Sequence, residues 1–290
     1  MFSQFFGTFL LENGKLDEEQ FDSCMEYIKA NHVKLGLIAE NEGLLTREQA
    51  DELNRLQMHS DTRFGDLAIE KGYLTESDVD FLLSQQSKPY LIFVQALEEQ
   101  DFMNADEIKE AFSEFQQAKG FSDEAFEALK NGDIESVLPT YIETDIPEYY
   151  ELIALSLRNI VRFVSRYIRI EKASFVSSLS AKYIALQRTN GDYDGFLGFA
   201  SDDDGILAIA DGYAKEIFPD VDEDALDSVA EFTNCINGLH AAELSYKDVS
   251  IDMLPPELLF DATIEDEHTF CILPVYVENQ KSNLIVMIDK

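Results

Sequence analysis

Basic residues are scarce in this 290-residue chain, with 22 Lys and Arg against 57 Asp and Glu, for a net charge of −35. A field of that sign repels phosphate backbones and anionic lipid and steers in partners with a basic face. Nucleic acid and membrane insertion are therefore not expected. Cysteine is also scarce. Cys24, Cys235 and Cys271 are odd in number, far apart and without a C-x-x-C pair, and His32, His59, His240 and His268 show no ligand spacing with them. Neither a disulfide framework nor a zinc site is expected, and the cysteines read as small core residues in a reducing cytosol. No apolar run reaches the roughly 18 residues of a membrane span. The first eleven residues lack the basic region and long apolar run of a signal peptide, so a cytoplasmic location is expected. Disorder of the whole chain is excluded by what is abundant: 46% of residues are hydrophobic, with 21 Phe and 12 Tyr. The length suggests two domains.

The first part carries a repeat. Gly7, Gly36 and Gly65 are 29 residues apart, and so are Gly14, Gly43 and Gly72. The aligned copies read FFGTFLLENGKLDEEQF, KLGLIAENEGLLTREQA and RFGDLAIEKGYLTESDV. A fourth, eroded copy, IFVQALEEQDFMNADEI, has Val94 at the first glycine position. A fixed period of this length means stacked supersecondary units. In each copy a short helix ends at a glycine able to take the left-handed conformation. An N-cap follows at Asp17, Thr46, Thr75 or Asn104, and Gln20, Gln49 and Glu107 stand as capping-box partners three residues after the first, second and fourth. Paired short helices are expected over 1–118.

These copies resemble the N-terminal domain of type II secretion ATPases of the GspE and MshE kind, whose module binds cyclic di-GMP in the MshE branch. Arg63, Phe64, Gly65, Gly72, Tyr73, Leu74, Val79, Leu83 and Gln86 fit one module, and Lys34, Leu35, Gly36, Gly43, Leu44, Leu45 and Gln57 the one before it, with 58–62 as spacer. The resemblance implies Lys34, Gln57, Arg63 and Gln86 as nucleotide-binding positions. Lys34 stands where the family has Arg, and lysine lacks the planar fork that matches a phosphate or guanine edge. Ala39, Glu40, Ala50 and Asn54 replace aliphatics. Packing and turn roles in a helical docking module are the alternative for all of these residues.

Residues 119–145 read as a linker with one short helix over 123–130, an Asn-Gly pair and two nearby prolines, Pro139 and Pro147. An α/β domain follows over 146–290, with mainly antiparallel strands and long helices. The apolar period predicts a helix over 148–165, with Leu152, Leu155, Ile160 and Phe163 among its apolar positions. Strands are expected at 174–176, 182–188, 195–200 and 205–210, helices at 212–218 and 224–240, then strands at 249–253, 269–277 and 284–288. The fold class is thus multidomain, an all-α helical repeat domain followed by an α/β domain.

On the helix from Asp224, Leu226, Val229, Thr233, Ile236 and His240 share one side, the core face. Asp227, Glu231, Asn234 and Gly238 form a second stripe. Glu231 and Asn234, three apart, are surface neighbours. Gly238 removes a side chain at a cost of about 1 kcal/mol mid-helix, leaving room for a partner's backbone. Asp220, Asp222, Asp224 and Glu231 also match calcium-loop positions, but Ala225 occupies the position of the sharp-turn glycine. Asp222 to Asp224 read better as carboxylates favoured at a helix N-terminus.

The string DSVAEFTNCING, with GDYDGFLGFASDDDGILAIADGYAKEIFP upstream, resembles the signature of the CheC, CheX and FliY chemotaxis phosphatases over about 148–290. The resemblance implies an antiparallel sheet packed on long helices and hydrolysis of the aspartyl phosphate of a CheY-like receiver. On it, Asn234 positions the attacking water, Glu231 pairs with the receiver's lysine, and Asp227 and Gly238 line the docking face. The chain would need no cofactor of its own, since the receiver supplies Mg²⁺, and family members can form homodimers. Two departures stand out. Asp261 replaces a family glycine after Pro256, and Asn159 has Ser156 rather than Glu three residues before it, so a second E-x-x-N on the domain's first helix is absent, as in the CheX arrangement. A catalytically silent receiver-binding adaptor and a cyclic di-GMP sensor are the competing functions.

Overall fold

A computed structural model describes residues 1–31, 33–57, 63–85 and 89–289. Over the first 119 residues the chain forms α1 (Phe2–Glu12), α2 (Glu18–Ala30), α3 (Leu35–Asn41), α4 (Arg47–Gln57), α5 (Phe64–Glu70), α6 (Glu76–Gln85), α7 (Pro89–Glu99) and α8 (Ala105–Lys119). Gly14, Gly43 and Gly72 have φ of 65°, 69° and 71°, and Asp101 takes the same conformation at 56°. At each of the four, the amide of the following residue donates to a carbonyl five residues back, for example Lys15 to Leu10 at 2.8 Å and Phe102 to Leu97 at 3.0 Å. That bond satisfies carbonyls orphaned by the helix end. Asp17–Gln20, Thr46–Gln49 and Asn104–Glu107 each close both bonds of a capping box. Thr75 does so as well, with Asp78 as its partner; the shorter carboxylate was not among the expected Glu and Gln partners. The spacer 58–62 and Gln86 lie outside the described residues.

Residues 119–145 differ from expectation. They form α9 (Asp123–Asn131), α10 (Ile134–Val137) and a 3-10 turn (Leu138–Thr140). Phe121, Phe126, Leu129, Ile134, Val137, Leu138, Tyr141 and Ile142 are buried in one continuous core cluster with residues from both halves of the chain. The Tyr141 ring packs tilted against Phe5 and edge-on to Phe121, at centroid distances of 5.6 and 6.1 Å. The glycines and prolines that suggested a linker instead cap packed helices: Gly120 and Gly132 are left-handed C-caps, and Pro147 opens α11 (Pro147–Asn159), where a missing N–H costs nothing.

The rest of the chain carries β1 (Ile168–Ile170), β2 (Ser174–Gly191), β3 (Asp194–Ser201), α12 (Leu207–Ala214), α13 (Glu223–Ser245), β4 (Ile251–Met253), β5 (Glu257–Val277) and β6 (Gln280–Asp289). The strands form one antiparallel sheet in the order β1-β5-β6-β3-β2-β4, and β5 also pairs with β2. That extra pairing bends the sheet back on itself, and both faces are buried over β3 and the adjoining parts of β2, β5 and β6. Alternate residues separate: Ala185, Leu197, Phe199, Leu273 and Val286 face the helices, while Ile184, Leu186, Phe196, Phe270 and Ile285 fill a second core on the other side. Period-two alternation puts neighbours on opposite faces, so a strand buried on both reads as continuously apolar.

The expected strand at 205–210 is helical. The Asp203 carboxylate accepts from the Gly205 amide at 2.9 Å and starts a 3-10 turn (Asp204–Ile206) that leads into α12. A short apolar run does not distinguish strand from helix by period, and the capping side chain decides it. The helix expected over 212–218 accordingly begins earlier and ends at Ala214. Strand β5 is longer than the expected 269–277, since it begins at Glu257 and crosses Asp261, whose φ is 47°. Among the described residues, no helix is long and apolar enough to cross a membrane.

Candidate functional site

Helix α13 carries the stripe. It starts where the Asp222 carboxylate accepts from the Ala225 amide at 3.0 Å, with Glu223 and Asp224 in the first turn favoured by the helix dipole. Asp222 is thus spent on the cap, as its sequence suggested. Leu226, Val229, Thr233, Ile236 and His240 are all buried, and Ala225, Ala230, Phe232 and Asn237 widen the covered face. Ser228 Oγ donates to the Ala210 carbonyl at 3.1 Å and fastens α13 to α12. The Tyr193 hydroxyl lies 3.0 Å from His240 Nε2. Burial pulls the His240 pKa down to about 4, against the pull of Glu151 and with a smaller push from Lys247. A neutral imidazole here is a core group and not a general base.

Asp227, Glu231 and Asn234 are exposed on the uncovered side, and Gly238 is half-buried. Nothing lies within 4 Å of where a Cβ on Gly238 would stand. The structure therefore brings the four stripe residues onto one open ridge over about three turns of helix. Glu231 and Asn234 stand a turn apart there, an acid beside a neutral amide.

One neighbour was not anticipated. Gln187 on β2 is only 2% exposed and donates through Nε2 to Asn234 Oδ1 at 2.8 Å and to the Leu254 carbonyl at 2.9 Å. Its Oε1 accepts from Asn237 Nδ2 at 2.9 Å. The side chains of Met253 and Leu254 are partly exposed at the edge of this arrangement. In the sequence Gln187 only follows the apolar run of 183–186 and opens the polar stretch 187–190, so nothing sets it apart.

Asn159 on α11 has no comparable place. It is buried and its Nδ2 donates to the Leu155 carbonyl at 2.8 Å, while Ser156 Oγ donates to Leu152 at 2.8 Å. Both are satisfied by their own helix. The thiols of Cys24 and Cys271 are buried and pushed up to about 12 by desolvation, whereas Cys235 is half-buried on α13. No group of three or more His, Cys, Asp or Glu among the described residues is arranged to hold a metal ion.

Of the N-terminal candidates, Lys34 and Arg63 have described side chains. Lys34 pairs with Glu99 at 2.6 Å, and its backbone amide donates to Gln95 Oε1 at 2.7 Å. It lines a cavity of about 210 Å³ with Arg47 and the carboxylates of Glu40, Asp51, Glu98 and Glu99. Burial raises the Glu98 pKa. Arg63 is exposed at the start of α5 and does not line that cavity. Gln57 ends α4, and Gln86 lies outside the described residues.

A long helix with an exposed acid–amide pair, laid on an antiparallel sheet, thus defines the C-terminal part. Residues 183–275 match the family described as chemotaxis phosphatase CheX, and this part of the chain is CheX-like. Several solved structures are similar to it, three of which follow. A chemotaxis protein CheX from Desulfovibrio desulfuricans is 14% identical over 50% of this chain and 100% of that one, with a TM-score of 0.43. A CheC-like superfamily protein from Shewanella sp. PV-4 is 18% identical over 51% and 100%, with a TM-score of 0.44. A CheX–CheY–BeF₃–Mg²⁺ complex from Borrelia burgdorferi matches at 18% identity over 48% and 96%, with a TM-score of 0.40. No curated protein matches the chain. The likeness of 1–118 to type II secretion ATPases is not confirmed by these matches.

Proposed function

We propose that this protein is a phosphatase that hydrolyses the aspartyl phosphate of a CheY-like receiver. The observation that carries the reading is the open ridge of α13, where Glu231 and Asn234 stand exposed a turn apart within the segment matching the CheX family. In this reaction water attacks phosphorus and the bond from phosphorus to the aspartyl oxygen breaks. The electron pair returns to the carboxylate, and the water's proton passes to solvent. Such a transfer needs positioning and charge neutralisation rather than a covalent intermediate on the second protein. The receiver brings Mg²⁺, which neutralises the phosphoryl charge.

This chain's residues then have two tasks. Asn234 holds the attacking water in line, which an amide does without titrating. Glu231 docks the ridge by pairing with a basic group of the receiver, and Asp227 extends that acidic face. Gly238 leaves the far end of the ridge bare, so a backbone can approach.

The test is phosphate release from a Mg²⁺-bound phosphorylated receiver. The intact protein should accelerate release. Asn234→Ala should lower kcat by roughly 100-fold, the scale of a misplaced reactant, with receiver affinity little changed. Glu231→Gln should weaken binding. Binding of the receiver without acceleration would sink the enzymatic reading and leave a silent adaptor.

A further inference from the structure

We infer that Gln187 is a positioning residue for this site, setting which edge of the Asn234 amide faces the receiver. The inference rests on the phosphatase reading above for its consequence, but not for its geometry.

An amide can be turned over by rotating half a turn, exchanging its oxygen for its nitrogen at little cost in shape. An exposed Asn on a helix would sample both faces. Here the choice is made from below. The Leu254 carbonyl can only accept, so the Gln187 side-chain atom 2.9 Å from it must be the nitrogen. The other hydrogen of that nitrogen then points at Asn234, and the Asn234 atom 2.8 Å away must be the oxygen. Oε1 of Gln187 is left to accept from Asn237 Nδ2 at 2.9 Å, which completes the set of bonds in that orientation.

The anchor itself is held at both ends. The Leu254 amide donates to the Arg188 carbonyl at 2.9 Å, so the backbone of residue 254 is tied to consecutive residues of β2. Gln187 and Asn237 are each 2% exposed, so water does not compete freely for these bonds. A buried amide with all its hydrogens used has little reason to rotate. Asn234 Oδ1 is thereby turned toward the sheet. Its Nδ2 has no protein partner among the described residues and is the group left to face the ridge. The site thus presents a hydrogen-bond donor. A water accepting that N–H in one lone pair keeps the other free for phosphorus.

The bond to an exposed Asn above it also accounts for a buried polar side chain at Gln187, directly after Ala185 and Leu186, which fill the core. Replacing it with methionine keeps the length and removes both donor bonds. The amide of Asn234 is then free to turn, and part of the population presents oxygen instead of nitrogen.

The experiment is a double-mutant cycle on the full chain with a side-chain NMR measurement beside it. Gln187→Met should lower kcat for receiver dephosphorylation roughly 10-fold, with receiver affinity within about twofold. In the Asn234→Ala background the same substitution should change kcat less than about twofold, because the residue acts through Asn234. An equal loss in both backgrounds overturns the inference, as does a Gln187→Met protein that is folded and fully active. Should Gln187→Met fail to fold, the intact protein decides. The Asn234 side-chain amide should show a high order parameter in relaxation measurements, and freely rotating values overturn the inference without any variant. An intact protein that binds receiver and releases no phosphate, with an ordered Asn234 amide, counts against the phosphatase reading and removes this role with it. A disordered amide in an active protein counts against Gln187 alone.

Discussion

Removing the ionisable group at position 240 should change how the stability of the protein depends on pH, and by a calculable amount. His240 is buried on α13 against Tyr193, with a pKa drawn down from 6.5 to about 4, chiefly by desolvation. The unfolded chain therefore binds a proton below pH 6.5 that the folded chain refuses until about pH 4. Wherever the unfolded state binds more protons, stability rises with pH. The neutral imidazole's contribution is thus fully present above 6.5 and lost as the pH falls toward 4. Linkage puts the loss at roughly 1 kcal/mol between pH 7.5 and 5.5, and roughly 2–3 kcal/mol by pH 4.5. The many carboxylates titrate in the same range, so the comparison must be with a variant. Gln at position 240 keeps a polar contact for the Tyr193 hydroxyl and cannot ionise. Urea unfolding of both proteins across pH 4.5–7.5 should give a stability difference, intact minus His240→Gln, that falls by these amounts on acidification. A difference independent of pH, or one growing on acidification, refutes the assignment of a buried neutral imidazole. A resonance of the His240 imidazole itself titrating near 6.5 would do so as well.

Other substitutions separate packing from function. Gly7→Ala would place a Cβ 2.2 Å from the Phe21 ring and should cost roughly 1–3 kcal/mol in thermal or urea unfolding. Gly238→Ala meets nothing and should stabilise α13 by roughly 0.5–1 kcal/mol, while Gly238→Arg should weaken receiver binding if a backbone docks there. Asp261 has a φ of 47°, the left-handed region open to Gly and tolerated by Asp, so Asp261→Gly should be near neutral and Asp261→Val should cost roughly 1–2 kcal/mol by thermal denaturation. The cavity beside Lys34 sets four carboxylates against two cations, so calorimetry with cyclic di-GMP should show no saturable heat; a heat abolished by Arg63→Ala would reverse that expectation.

What the sequence revealed best was local. The buried face of α13 follows from a helical period, and both the Asp222 cap and the turns at Gly14, Gly43 and Gly72 follow from backbone chemistry acting within a few residues. Asp101 hid the fourth such turn because Asp, unlike Gly, does not advertise a left-handed conformation. What escaped was set by distance along the chain. Gln187 reaches Asn234 across 47 residues, and no period in either segment signals the pairing. The first half of β5 escaped because its outer residues are polar or half-exposed and its partner is a strand some eighty residues earlier. The supposed linker was misread because Gly and Pro mark helix ends as readily as flexible joints, and only the burial of Phe121, Phe126 and Tyr141 tells the two apart.

The continuous core running from α1 through residues 119–145 to the sheet makes the helices of the first 119 residues and the ridge of α13 thermodynamic neighbours. Phe5 and Tyr141 share a ring contact and belong to one buried cluster with Phe232 of α13, so loss of structure in one region should destabilise the other. Any molecule that grips the first helices in their folded form then raises the melting temperature of a helix it never touches, by an amount fixed by its concentration over its dissociation constant. A thermal scan followed through α13 is in that sense a ligand detector for the other end of the chain.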